Sequence, residues 1–207
     1  MRKIFVTLLL LGSAVLVFAQ GTVYFSNNAF EKISSGAYGS AAVVPATAGL
    51  INFGLFYGTG AQQPATLSFL GVSGYNSATS AGLIVNASGS SISALPIPGT
   101  YPGETDVWIQ IAGWSAYYGT NWAAAQTAAW TYHSPSAYFG KSPIINVAPT
   151  AGGLGPATGP GAIIWQTATG TDPTKITGFV LSQMPEPSMM TLTGLGLAAV
   201  LIFRRRK

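Results

Sequence analysis

Cysteine is absent from this chain and histidine occurs once, at His133. Without thiols there is no disulfide framework and no thiolate nucleophile, and one imidazole cannot complete the usual tetrahedral zinc set. Charge is scarce too, with Asp, Glu, Lys and Arg making up 7% of the residues. The formal net charge of +4 would suggest a nucleic-acid partner, but six of the nine cations sit at the two ends. Residues 20–184 carry three cations (Lys32, Lys141, Lys175) and four anions (Glu31, Glu104, Asp106, Asp172), leaving −1. No basic patch remains to hold phosphate, so nucleic acid is excluded as a partner. Long apolar runs are also missing from that stretch and are confined to the termini.

At the amino end, Met1, Arg2 and Lys3 precede an apolar core from Ile4 to Phe18, and Val17-Phe18-Ala19 places small residues where signal peptidase reads. Cleavage between Ala19 and Gln20 is expected. At the carboxyl end, Pro185-Glu186-Pro187-Ser188 leads into an uncharged, mostly apolar run from Met189 to Phe203, followed by Arg204, Arg205, Arg206 and Lys207. Four cations after an apolar helix resist transfer across a bilayer and act as a membrane stop on the cytoplasmic side. As a helix the run spans roughly 22 Å, against a hydrocarbon core of about 30 Å, so it is short for a permanent anchor. Prolines on both sides of Glu186 hold the backbone extended and outside the helix, where a processing enzyme can grip it.

These three parts, in this order and spacing, closely resemble the PEP-CTERM sorting signal of Gram-negative bacteria, the substrate tag of the membrane-embedded enzyme exosortase. The resemblance covers the tail from Pro185 to Lys207. It implies recognition at Pro185, Glu186 and Pro187, removal of the tail, a transient stop in the inner membrane, and delivery to the cell surface or extracellular matrix. Any catalytic cysteine then belongs to the partner.

Residues 20–184 remain as the exported domain, of a size to fold as one unit on its own core. Gly, Ser, Thr, Ala and Asn dominate it, and convincing helical spacing is absent, which favours strands joined by polar turns. The best strand runs from Asp106 to Ala112, with Val107, Ile109 and Ile111 on one face and Trp108 and Gln110 on the other. Thr22 to Ser26, Leu50 to Tyr57, Thr66 to Leu70, Gly82 to Ala87, Ile144 to Ala148, Ala162 to Thr167 and Lys175 to Ser182 complete a set of about eight short strands. The expectation is an all-β fold, an antiparallel β-sandwich flanked by an N-terminal signal helix and a C-terminal transmembrane helix. Alanine density predicts one helix over residues 121–130, with Asn121 as its cap. Residues 149–161 read as a long loop. The order of Leu55-Phe56-Tyr57-Gly58, the strand at Val107, Gly113 to Gly119 and Gly140-Lys141-Ser142-Pro143 resembles a layout common among PEP-CTERM proteins, which implies a β-sandwich and carries no activity.

Candidate chemistry is thin. His133 could pair with Asp106 or Asp172 in a hydrolytic triad, but there is no Gly-x-Ser-x-Gly elbow. Glu104 and Asp106, two apart, would project from the same side of a strand and could suit calcium or a glycosidase pair, but they lack the further oxygens that calcium wants, and solvating a turn is the favoured reading. Gly140-Lys141-Ser142 has Pro135 where a phosphate-binding loop needs glycine, and Gly153-x-Gly155 lacks the last glycine of a dinucleotide fingerprint. No catalytic residue, metal ligand or cofactor is assigned. The distinctive feature is aromatic: Trp108, Trp114, Tyr117, Tyr118, Trp122 and Trp130 are close in sequence. Core packing suits most of them, while Trp114 and Trp122, in a glycine-bounded segment read as a loop, are the candidates for stacking on a glycan. The sequence therefore reads as a non-enzymatic surface or matrix protein with a structural or adhesive role. The partners expected are signal peptidase, exosortase and the inner membrane. A module organising exopolysaccharide is the alternative, and a secreted hydrolase would have only four acids and one histidine to work with.

Overall fold

A computed structural model describes residues 20–36, 42–45, 47, 49–132, 137–147, 153–156, 159–166, 172 and 175–183. The signal segment, His133 and the tail from Pro185 lie outside the described residues. No helix among the described residues is long and apolar enough to cross a membrane.

The fold is all-β, with twelve strands among the described residues. In chain order they are β1 (Thr22–Tyr24), β2 (Ser34–Gly36), β3 (Ala42–Val43), β4 (Ile51–Thr59), β5 (Ser68–Asn76) and β6 (Ile84–Val85). There follow β7 (Leu95–Pro96), β8 (Val107–Ser115), β9 (Tyr138–Lys141), β10 (Ile145–Asn146), β11 (Ala162–Ile163) and β12 (Val180–Gln183). Each of the eight expected segments holds a strand. The larger sheet runs β3-β2-β12-β9-β8-β4-β5-β6, with β10 also paired to β8, and a smaller sheet runs β11-β1-β7. Two pairings, β1 with β11 and β2 with β12, are parallel, so the sheets are mixed. Strands so distant in sequence are not joined by a hairpin, and nothing obliges them to run antiparallel.

The centre is the pairing of β4 with β8, in register over nine residues from Ile51↔Ser115 to Thr59↔Val107. Alternation then sorts side chains between two faces. Ile51, Phe53 and Leu55 of β4 and Val107, Ile109 and Ile111 of β8 enter the main core, where Val23 and Ala162 of the smaller sheet join them. Full burial of each Ile, Leu or Val contributes about 1.5–3 kcal/mol relative to exposure. The other face presents Phe56, Ala112 and Trp114 to a second, aromatic cluster. Gly113 of β8 and Gly140 of β9 are paired across the ladder. A Cβ on Gly113 would lie 2.8 Å from the Leu181 and Phe53 side chains, so the bare backbone is what lets them close over the strand.

Helix α1 (Trp122–Tyr132) covers part of the second face. It begins where expected, with Asn121 Oδ1 accepting from the Ala124 N–H at 3.0 Å. Its buried positions Trp122, Ala125 and Ala129 fall on one side, at helical spacing.

Buried amides tie the irregular segments to the sheets. Asn27 donates to the Glu31 carbonyl at 2.6 Å and the Gly82 carbonyl at 2.7 Å, and accepts from the Ile84 N–H at 2.7 Å. Asn76 accepts from the Ile51 N–H at 3.0 Å and donates to the carbonyls of Pro45 and Thr47. Replacing Asn27 by Ala leaves the buried Ile84 N–H without its acceptor and takes a donor from the Glu31 and Gly82 carbonyls, and should lower the unfolding free energy by about 1–3 kcal/mol. Denaturant titration checks this, with exposed Gln62→Ala as a control expected within about 0.5 kcal/mol of the parent.

Candidate functional site

The second face of the large sheet gathers most of the aromatic residues that the sequence singles out. Trp114 and Trp122 meet edge to face at 5.3 Å and 76°, and Phe56 meets Trp122 at 5.9 Å and 84°. Phe69, Tyr118 and Phe139 close the sides. Such geometry adds about 0.5–1.5 kcal/mol per pair beyond area burial. Lys141 reaches over this cluster, its Nζ 4.5 Å from the Phe56 ring centroid and 5.0 Å from that of Trp122. Partial burial there lowers the lysine pKa from its ordinary value, because the charged form loses water.

Beyond β8 the chain enters a 3-10 turn, Ala116–Tyr118, ending at Gly119. The Gly119 carbonyl accepts two hydrogen bonds, from Asn52 Nδ2 at 2.9 Å and from the Trp114 indole N–H at 2.8 Å. Gly119 itself has φ of +79°, a left-handed conformation that favours glycine. Held from beneath in this way, the turn presents Tyr117 at 87% exposure, its ring edge-on to Tyr118 at 5.2 Å. Beside the turn opens a cavity of about 510 Å³, with walls that include Val44, Leu50, Ile51, Tyr117, Tyr118 and Tyr138.

The expectation that Trp114 and Trp122 are exposed for glycan stacking is corrected. Trp114 is fully buried and Trp122 is 8% exposed. The cause is that β8 continues through Gly113, Trp114 and Ser115, where a loop was expected, which points the Trp114 indole into the face that α1 covers. Trp114 positions the turn and does not itself present a ring to a ligand. Trp108 is half-buried, with its indole N–H donating to the Gly60 carbonyl at 2.8 Å. Across the ladder from it stands Asn146, and Gln110 follows two residues on along β8, both half-buried.

Glu104 and Asp106 agree with the favoured turn reading and not with a functional pair. Both precede β8, so they do not share one side of a strand, and Glu104 Oε2 accepts from the Tyr101 N–H of its own turn at 3.2 Å. Among the described residues no group of three His, Cys, Asp or Glu side chains comes together. Asp172 lies close enough to Lys175 to raise that lysine's pKa, against a larger lowering by burial. Gln20 is exposed. Ala19, His133, the Trp130 side chain, Pro185, Glu186, Pro187 and Arg204, Arg205, Arg206 and Lys207 lie outside the described residues.

Sequence reasoning missed Lys141 as a lid on the aromatic cluster, and Leu50 and Tyr138 as cavity walls. The aromatic Tyr138-Phe139 pair before Gly140 was the available strand signal. Trp114→Ala should cost about 3–5 kcal/mol of unfolding free energy, as expected for an emptied aromatic core position. Tyr117→Ala, at the exposed tip, should stay within about 0.5 kcal/mol of the parent in the same titration.

Searches of curated proteins and of solved structures found no match to the chain. A family model for the PEP-CTERM protein-sorting motif matches residues 185–207. The matched span starts at Pro185 and takes in the apolar run and the four terminal cations. Proteins with this tail are exosortase substrates, exported and processed at the membrane. The chain is thus a PEP-CTERM domain-containing protein, an exported substrate of the exosortase sorting route.

Proposed function

We propose that residues 1–19 are removed as a signal peptide, that residues 185–207 are removed by exosortase, and that the domain at 20–184 serves at the cell surface or in the extracellular matrix as a non-enzymatic structural or adhesive component. The sorting motif at 185–207 carries this reading. The roles taken by the few ionisable groups support the non-enzymatic part. Glu31 Oε2 accepts from the Gly178 N–H at 2.7 Å, Glu104 closes a turn, Lys141 covers the aromatic rings and Lys175 donates to the Ile163 carbonyl. Each braces a backbone segment or a packed face.

The test is the intact mass of the protein recovered from host cells with and without the sorting enzyme. Tail removal is expected only with the enzyme present, and Glu186→Ala should leave the tail attached even then. A protein that keeps its original carboxyl end in the inner membrane of normal cells would defeat the proposal.

A second reading, a module that organises exopolysaccharide, is favoured by the half-buried row of Trp108, Gln110 and Asn146 on the second face. A half-buried indole beside two amides on one face of the sheet offers a ring for a sugar to pack against, with Gln110 Nε2 held by the Ser142 carbonyl at 2.9 Å. Affinity electrophoresis in the native polysaccharide should then show retardation that Trp108→Ala abolishes. Equal mobility with and without polysaccharide would leave the structural role alone.

A further inference from the structure

The last strand places the cavity next to the membrane tether. β12 is an interior strand of the large sheet, parallel to β2 and antiparallel to β9. It ends at Gln183, which is paired with Tyr138, and its neighbours at that end are Gly36 of β2 and, one strand further, Ser115 of β8. Ser115 in turn is paired with Ile51 of β4. The cavity is lined at this same sheet end by Ser35, Ile51, Ser115 and Tyr138, with Leu50 and Tyr117 on its rim. Leu50 is 48% exposed and Tyr117 is 87% exposed. None of the lining residues carries a charge.

Only residues 184–188 separate Gln183 from the apolar run that starts at Met189. Even fully extended, that stretch reaches at most roughly 20 Å. About 5–8 Å of this is taken up by the headgroup layer on one side of the bilayer. The folded domain is therefore held against the membrane by the sheet end at which β12 stops, as long as the tail is inserted. Among the described residues, that end carries what an interfacial surface requires: tyrosines with an apolar body and a polar tip, an exposed leucine, and an apolar hollow with no charged side chain in its lining. The exposed carboxylate of Asp106 lies at the opposite end of β8.

We propose that the face formed by Leu50, Tyr117 and the adjoining cavity rests on the outer leaflet of the inner membrane while the chain is tethered, so that the domain has one fixed orientation when it meets the sorting enzyme. The inference rests on the tail being membrane-inserted, as the sorting reading requires.

The absence of cysteine makes single-cysteine labelling clean. The full chain is reconstituted in vesicles of phosphatidylethanolamine with a minor share of phosphatidylglycerol, bearing an environment-sensitive fluorophore at Tyr117→Cys, Leu50→Cys, Gln62→Cys or Gly196→Cys. Positions 50 and 117 are exposed enough for the variants to fold, and Gln62 lies beyond the far end of β4. Labels at 117 and 50 are expected to be blue-shifted, several-fold less accessible to an aqueous quencher than the label at 62, and quenched by lipid-borne nitroxide. A label at 117 as accessible as that at 62, with the label at 196 buried in lipid, overturns the orientation while leaving the sorting reading intact. Protection at 117 without nitroxide quenching also overturns it, since the face is then covered by protein. A label at 196 that stays aqueous removes the tether itself, and both readings fall.

Discussion

The nine-residue pairing of β4 with β8 is the contact on which the rest of the molecule depends. Both faces of that pair are covered, the inner by the main aliphatic core and the outer by the aromatic cluster beneath α1. A slip of one residue would exchange the two faces, driving Asn52, Gln110 and Trp114 toward the aliphatic side. Two different cores, one mostly aliphatic and one mostly aromatic, thus specify the register more tightly than a single one would. The two irregularities in the β4–β5 ladder, between Phe53 and Gly54 and between Leu55 and Phe56, then bend the sheet without disturbing the β4–β8 side.

A small exported domain without disulfides needs another way to fasten its loops. Here the fastening is done by neutral amides and hydroxyls whose capacity is filled by backbone groups. Asn27 and Asn76 secure the segments around Gly82 and Pro45, while Ser26 accepts from the Ile92 N–H at 2.7 Å. Ser142 performs a similar task in the sheet itself. Its Oγ accepts from the Ile111 N–H at 2.9 Å where β9 gives way to β10. Because the groups are uncharged, their burial costs far less than an ion pair would. The sparse charge of the chain and its abundance of Asn, Ser and Gly are two aspects of one construction.

Much of the central sheet was legible in the sequence. Val107, Ile109 and Ile111 alternate with Trp108 and Gln110, and that period of two survives in the structure as the division between the two faces. The helix was readable from alanine density and an asparagine at its start. Less visible were Ser34–Gly36 and Ala42–Val43, short segments made mostly of small residues with weak strand preference, which pair with each other while Ser34–Gly36 also pairs with β12. The aromatic site was misread for a related reason. Gly113 looks like a strand terminator, yet it is bare to admit Phe53 and Leu181, so β8 runs on and buries Trp114. The cavity was invisible because its walls come from segments distant in sequence, including Val44, Leu50, Ser115 and Tyr138.

The interior position of β12 also bears on when the domain becomes complete. A chain exported amino end first delivers β2 and β9 long before β12, and until residues 180–183 arrive those two strands lack the neighbour that joins them. Closing such distant partners is slow and comes late. The finished sheet is therefore a record that the whole domain has crossed, and the sorting handle, which follows directly, emerges as the last gap in the sheet is filled.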